Sequence, residues 1–176
     1  MTLQIFILGT LSEGDHHPYD IKKNIFKPLE NSIPINDGTL YYNFEVLAKK
    51  GLIQKIKVVQ TGNRPEKTTY GITEKGRLAL EEEIYSVFQH FTSVSSLYSS
   101  LLFLDKVDSK KLAYIIEEAI AKLNAKIRMI DGVDPALLPI PEAKRIAVNM
   151  ITERAYENLK KDADWLSRLL THVRTL

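Results

Sequence analysis

The first 50 residues carry apolar side chains at the three- and four-residue spacing that is typical of helices with one buried face. Residues 2–12 form the first such segment, and Gly14 ends it. A second helix is predicted to begin at Pro18, because the missing N–H of proline would have no partner at the first helical position. The two apolar stripes consist of Leu3, Phe6, Ile7, Leu8 and Leu11, and of Ile21, Ile25, Phe26 and Leu29. Both helices are expected to pack against a third helix and hold it in position.

Residues 35–53 predict a helix about four turns long whose two faces differ in chemistry. Asn36 or Asp37 caps its start, and Gly51 supplies the left-handed turn that ends many helices. One face carries Leu40, Phe44 and Leu47, and the opposite arc carries Thr39, Tyr42, Asn43, Val46, Lys49 and Lys50. An outer face with hydrogen-bonding and cationic groups suits the base edges and phosphates of DNA.

After Gly51 the pattern changes to that of β-strands, which residues 52–59 and 68–73 are predicted to form. Residues 60–67 between them are rich in turn-forming residues and place Arg64 and Lys67 near the tip of the loop. The order helix, helix, strand, loop, strand predicts a winged helix-turn-helix with a two-stranded wing.

The second half contains no strand signal and predicts long amphipathic helices. The first runs on from Thr73 as far as Leu102, with a bend expected in the Ser-rich stretch 92–96, and the next is capped by Asp108 or Ser109 and stopped by Gly132. A last helix follows the prolines, with inward positions Ala143, Ala147, Met150, Ile151, Ala155, Leu159, Ala163, Leu166, Leu170 and Val173. This apolar surface exceeds what a small winged domain can cover, so we expect part of it to join two subunits.

The predicted fold is therefore mainly α, with a winged helix-turn-helix DNA-binding domain over residues 1–78 and a helical dimerisation domain over residues 79–176. The net charge of +2 says little about partners, but residues 1–80 hold 11 Lys/Arg against 8 Asp/Glu, so the positive excess lies with the DNA-binding motif. No membrane span, no export signal and no cysteine is present. We expect a soluble, cytoplasmic protein.

Enzymatic and metal-binding functions find no support in the motifs. The chain has no nucleophile elbow, Gly-rich phosphate loop or zinc-protease motif, so we predict a protein that is not an enzyme and needs no cofactor. His16 and His17 are predicted to be turn or capping residues, because adjacent residues at a helix start do not share a face. A protein-interaction module that kept the winged fold without DNA affinity stays open, and the acidic Glu66 in the wing favours it.

Several short motifs in the first 80 residues resemble the PadR family of bacterial transcriptional regulators. They are Ile7-Leu8, Glu13-Gly14, His17-Pro18-Tyr19-Asp20-Ile21, Gly38-Thr39-Leu40-Tyr41, Lys50-Gly51-Leu52-Ile53, Asn63-Arg64-Pro65, Lys67, Tyr70, Ile72-Thr73 and Gly76. The helical tail resembles the longer C-terminal domain of one PadR subgroup. The resemblance implies a regulator, most often a repressor, of nearby genes such as those for phenolic-acid or drug-efflux functions. In some members a small molecule triggers release from DNA.

Ten residues are predicted to contact double-stranded DNA in a homodimer: Tyr19, Asn36, Thr39, Tyr41, Tyr42, Asn43, Lys49, Lys50, Arg64 and Lys67. Tyr41, at the edge of the buried stripe, is as compatible with core packing as with DNA contact. The only tryptophan, Trp165, is a candidate wall of an effector pocket, although an anchor in the dimer interface explains it better.

Overall fold

The computed structural model describes residues 3–23, 37–59, 67–133 and 139–176, and the side chains of Asp37, Lys57, Val58, Val59 and Lys67 lie outside the description. The helices are α1 (Leu3–Glu13), α2 (Pro18–Ile21), α3 (Asp37–Lys49), α4 (Glu74–His90), α5 (Tyr98–Leu101), α6 (Ser109–Asp131) and α7 (Glu142–Val173). The strands are β1 (Ile53–Val59) and β2 (Lys67–Ile72), which pair antiparallel. This order confirms the predicted fold, mainly helical with a winged helix-turn-helix at its start.

Two compact units make up the chain, Met1–Val107 and Asp108–Leu176. The predicted boundary after residue 78, between a DNA-binding and a dimerisation domain, stays a prediction. The stripe positions Ile25, Phe26 and Leu29 and the wing loop 60–66 lie outside the described residues.

Helix α1 lies at the centre of the first unit, since Ile5, Phe6, Ile7 and Leu8 are all fully buried. Gly9 faces the ring of Phe103 so closely that a Cβ there would come within 2.5 Å of three ring carbons. The absent side chain lets Phe103 reach α1, where its ring meets that of Phe6 edge-on at 6.0 Å. Phe103 is therefore part of the same buried core as α1.

The long helix predicted from residue 73 ends earlier than its apolar pattern suggested. Helix α4 stops at His90, and residues 94–106 form α5 flanked by two short 3-10 helices, Val94–Leu97 and Leu104–Lys106. The predicted bend in the Ser-rich stretch is confirmed as a full break. Leu102, predicted in the buried stripe, is 43% exposed, because the break takes it out of the helical register on which its inward position depended.

In the second unit α6 packs antiparallel along α7. The two ends of this helix pair differ in how many apolar side chains they bury. Asp108 caps α6 by accepting a hydrogen bond from the Lys111 N–H at 2.8 Å, as predicted. Arg174, just after α7, donates to Glu117 near the start of α6 at 2.5 Å. The buried residues of the pair are Leu112, Ala113, Ile115, Ile116, Ala119, Leu123, Ala163, Leu166 and Val173. The core of this unit therefore lies toward the start of α6 and the end of α7.

The other end of the pair leaves apolar side chains uncovered. Met129 is 74% exposed on α6, and Ile146, Met150 and Ile151 are 66–77% exposed on α7. Five positions predicted inward on the last helix, Ala143, Ala147, Met150, Ile151 and Ala155, are exposed in the single chain. We define Met129, Ile146, Met150 and Ile151 as the apolar tip. None of the helices in the described ranges is both long enough and apolar enough to cross a bilayer.

Candidate nucleic-acid interface

Helix α3 separates its buried and outer residues as the sequence predicted. Leu40, Phe44 and Leu47 are each 1% exposed, so this stripe fixes the rotation of the helix against the core. On the other side Tyr42 is 65% exposed, and Thr39, Lys49 and Lys50 are also exposed. We define Thr39, Tyr42 and Lys49, together with Lys50 directly after the last helical residue, as the outer face of α3. The hydroxyls can donate or accept hydrogen bonds, and the ammonium groups suit phosphate.

The end of α3 is fixed by a glycine turn of the Schellman type. Gly51 has φ of 72°, the Gly51 N–H donates to Ala48 O at 3.0 Å, and the Leu52 N–H donates to Leu47 O at 3.0 Å. Lys75 donates from Nζ to the Lys50 carbonyl at 3.0 Å, where a cation also meets the negative end of the helix dipole. Sequence reasoning missed Lys75, because its partner lies 25 positions away.

Thr73 joins the start of β1 to the start of α4. Its hydroxyl lies 2.8 Å from the Gly51 carbonyl oxygen and 3.1 Å from that of Leu52, and its oxygen accepts from the Gly76 N–H at 3.1 Å. A Cβ on Gly76 would lie only 2.0 Å from Leu52 O. Glycine is therefore required at this position for α4 to approach the strand so closely. This contact fixes the base of the wing relative to the end of α3.

The two strands of the wing form a small sheet, and β2 also pairs with the segment just before α2. Strands β1 and β2 pair from Ile53 with Ile72 to Val59 with Lys67, with an irregularity between Lys55 and Lys57. His16 adds a short bridge to β2, because its N–H and carbonyl exchange hydrogen bonds of 3.0 and 2.9 Å with Tyr70. The Tyr70 ring in turn lies 5.1 Å from that of Phe44. Helix α3 and the wing are thus held in one arrangement.

The remaining predicted DNA-binding residues differ in how far the structure describes them. Tyr19, in the first turn of α2, is 52% exposed, and Tyr41 on α3 is 46% exposed. Asn43 is half-buried and donates one of its two side-chain amide hydrogens to the Thr39 carbonyl at 2.7 Å. Asn36 and Arg64 lie outside the described residues, and Lys67 begins β2 with its side chain undescribed.

His17 and His16 have structural roles. The Nδ1 atom of His17 accepts a hydrogen bond from the Tyr19 N–H at 3.1 Å and caps α2, which confirms the predicted capping histidine. Among the described residues no cluster of three metal-ligating side chains occurs. Trp165 is half-buried on α7 beside the buried Leu166, and its role as effector wall or interface anchor stays a prediction.

Sequence reasoning also missed a group of side chains beside α3. His17, Tyr41, Phe44, Glu45 and Tyr70 line a small pocket of about 200 Å³. Burial raises the pKa of the Tyr70 hydroxyl above its usual value of 10.0, and the negative charge of Glu45 raises it further. The residues come from three elements distant in sequence, so no spacing pattern connects them.

Comparisons with known proteins agree with this architecture. A model of the PadR-like family of transcriptional regulators matches residues 7–82. The chain is 31% identical to a transcriptional regulator from Clostridium thermocellum, over 48% of this chain and 78% of that one, with a TM-score of 0.40. No curated protein matches it.

Two further similar structures span almost the whole chain. PadR from Bacillus subtilis, in complex with operator DNA, is 20% identical over 98% of this chain and 99% of that one, with a TM-score of 0.44. The protein smu.1604c from Streptococcus mutans is 24% identical over 97% and 99%, with a TM-score of 0.46. The match of the family model over residues 7–82 places this chain in the PadR-like family of transcriptional regulators.

Proposed function

We propose that this protein is a homodimeric repressor that binds a pseudo-palindromic operator through α3 and the wing. The observation that carries the proposal is the outer face of α3: Thr39, Tyr42, Lys49 and Lys50 project from a helix whose opposite face is locked into the core. A helix held in this way can enter the major groove without losing its packing. Its hydroxyls suit base edges, and its lysines suit the adjacent phosphates.

The wing and the start of α2 support the same proposal. Tyr19 is exposed at the start of α2, a place from which side chains often contact the DNA backbone in helix-turn-helix proteins. The wing tip, with Arg64 and Lys67, is expected to contact phosphate or the minor groove. Both are sequence-based expectations, and each adds affinity more than sequence discrimination.

Dimerisation is proposed through the apolar tip. Met129, Ile146, Met150 and Ile151 are exposed on the second unit, at the end of the helix pair opposite to its core. Exposed apolar clusters of this kind mark association surfaces in proteins that are otherwise polar outside. A two-fold axis would present two α3 helices to half-sites roughly 34 to 36 Å apart, which is one turn of DNA.

Release by a small-molecule effector is a separate part of the proposal. It rests on the family resemblance and on Trp165, a half-buried aromatic residue in a helix expected near the subunit interface. If a planar effector binds there, it should quench Trp165 fluorescence and weaken operator binding with the same midpoint. A Trp165→Ala variant that still dimerises and responds fully would exclude this residue as the sensor.

The proposal is tested by footprinting the purified full-length protein on DNA upstream of its own gene. We expect a protected, roughly symmetric site, and binding to it should exceed binding to unrelated duplex DNA by ~10³-fold or more. Transcription from the protected promoter should fall when the protein is added. Equal binding to all duplexes would contradict operator recognition, and no binding to any duplex would favour a protein-interaction module instead.

A further inference from the structure

The pocket beside α3 lies where the start of α2, the edge of α3 and β2 meet. Its volume of about 200 Å³ is below the roughly 300 to 1,000 Å³ of sites for drug-sized ligands, so any occupant is small. Every wall comes from the first unit, so the pocket is complete within one chain. It is therefore distinct from an effector site at Trp165, which lies in the second unit.

Three aromatic rings contribute to the pocket wall, together with His17, Pro18, Glu45 and Thr68. Phe44 and Tyr70 meet at a centroid distance of 5.1 Å with their planes tilted by 60°, so together they make a corner. Tyr41 lies three residues before Phe44 on α3 and adds a third ring to the lining. The faces of such rings carry partial negative charge and attract cations, as in the aromatic cages that bind quaternary ammonium groups.

Glu45 adds a full negative charge to this aromatic lining. It follows Tyr41 by one helical turn, and its carboxylate is near enough to Tyr70 that its charge contributes to the raised pKa of the phenol. A phosphate or a carboxylate ligand would be repelled at this position. The same carboxylate would stabilise a cation, so the charge and the rings favour the same class of ligand.

The His17 side chain completes the wall without competing for the ligand. Its Nδ1 atom accepts the capping hydrogen bond from the Tyr19 N–H. This bond holds the ring in place at the edge of the pocket. The Tyr70 backbone is likewise held by the bridge to His16. The His17 ring and the Tyr70 backbone are therefore positioned by the fold before any ligand arrives, which lowers the entropic cost of binding.

We propose that this pocket binds the head group of a small organic cation, with quaternary ammonium compounds as its ligand class. The volume admits a trimethylammonium-sized group, Tyr41 and Tyr70 offer it aromatic surface beside the buried Phe44, and Glu45 balances its charge. The site adjoins Tyr19 and Tyr41, which are predicted DNA contacts, but binding of the cation requires no DNA.

The test is a titration of the DNA-free, full-length protein with choline, followed by amide chemical shifts in NMR spectra. We expect saturable shifts at Tyr41, Phe44, Glu45 and Tyr70, and much weaker binding of the neutral analogue in which tert-butyl replaces trimethylammonium. Equal binding of the two compounds would overturn the cation site in favour of a plain apolar pocket. Absence of saturable shifts at these residues would overturn the site itself.

Two variants and one control separate the parts of the proposal. Glu45→Gln and Tyr41→Leu should each weaken choline binding about three- to tenfold, since each removes one attraction of modest size from an exposed site. Glu82→Gln removes an exposed carboxylate from α4, away from the pocket, and should leave the affinity unchanged. Choline affinity that falls as much in Glu82→Gln as in Glu45→Gln would show a general charge effect and overturn the proposal. Because no DNA is present, these outcomes do not depend on operator binding.

Discussion

Helix α3 and the apolar tip of α6 and α7 follow the same helical periodicity, yet their uncovered faces differ in chemistry. The outer face of α3 presents hydroxyl and ammonium groups over a buried stripe. The apolar tip presents Met129, Ile146, Met150 and Ile151, which water solvates poorly. A helix face that is polar and cationic suits a hydrated, charged partner such as DNA, whereas an apolar face suits another protein surface.

The two regions also differ in how their neighbours hold them. Helix α3 is fixed by its glycine turn, by Lys75 and by the Phe44–Tyr70 contact, all within the first unit. The apolar tip lies at the end of the helix pair away from its buried core, so fewer internal contacts fix it. The α3 face is therefore preorganised for binding, whereas we expect the apolar tip to gain its order from a partner.

The largest expected effect comes from placing a charge in the apolar tip. Met150→Asp puts a carboxylate at a position that is 66% exposed in the single chain and is proposed to be buried in the dimer. We expect loss of the dimer in sedimentation at micromolar concentration, and operator affinity that falls roughly 10²-fold through loss of bivalency. Lys144→Asp, at an exposed polar position of the same helix, is the control and should still dimerise. A Met150→Asp protein that sediments as a dimer would place the interface elsewhere.

Gly76→Ala should damage the first unit more than the second. Its Cβ would meet the Leu52 carbonyl at 2.0 Å, so the wing base must shift, at a cost of about 1 to 3 kcal/mol in unfolding free energy. Gly132→Ala, whose nearest contact is 3.3 Å away at the end of α6, is the matched control with a small effect. Chemical denaturation measures both, with Trp165 fluorescence as the reporter of the second unit. Equal losses in the two variants would contradict the close approach at residue 76.

Tyr42→Ala sharpens the assignment of the outer face. Since Tyr42 is 65% exposed, its removal should change the melting temperature by less than about 2 °C, because exposed substitutions away from special features change stability little. Operator binding should weaken about tenfold or more if Tyr42 contacts a base or phosphate. Anisotropy titration and thermal melting are compared on the same sample. A large loss of stability with intact affinity would assign Tyr42 to packing.

Lys49→Ala and Lys50→Ala should act on all DNA sequences alike. Each exposed ammonium group that neutralises a phosphate releases about one counterion, so the slope of log affinity against log salt should fall by about one. Lys126→Ala, an exposed lysine on α6, is the control and should leave the slope unchanged. An unchanged slope in both α3 variants would mean that the end of α3 does not touch the DNA backbone.

The smallest expected effect concerns Asp162 in the second unit. Burial raises the pKa of its carboxyl above the ordinary value of 3.8, so the folded state binds a proton more tightly than the unfolded state does. Its contribution to stability is most favourable below the unfolded pKa and is lost as the pH rises through the folded pKa. Asp162→Asn should therefore raise the melting temperature slightly at neutral pH and by less near pH 3. A larger gain at the acidic pH would contradict this sign.

Local features of the sequence determined most of the architecture. The buried stripe of α3, the Gly51 turn, the His17 cap and the Asp108 cap were all predicted, because spacing and capping act within a few residues of the chain. The paired strands of the wing followed from similar local signals, whereas in the Ser-rich stretch these signals predicted only a bend and the structure has a full break. The ten predicted DNA contacts and the effector role of Trp165 stay predictions.

Contacts between residues distant in sequence depend on tertiary packing, which no local pattern encodes. The contact of Gly76 with Leu52, the fit of Phe103 against Gly9, and the pocket shared by His17, Glu45 and Tyr70 join separate parts of the chain. Periodicity also could not tell which apolar positions a single chain covers, so Met150 and Leu166 look alike in sequence although one is exposed and the other fully buried. A repeat in sequence specifies the face of a helix, whereas burial depends on what packs against that face.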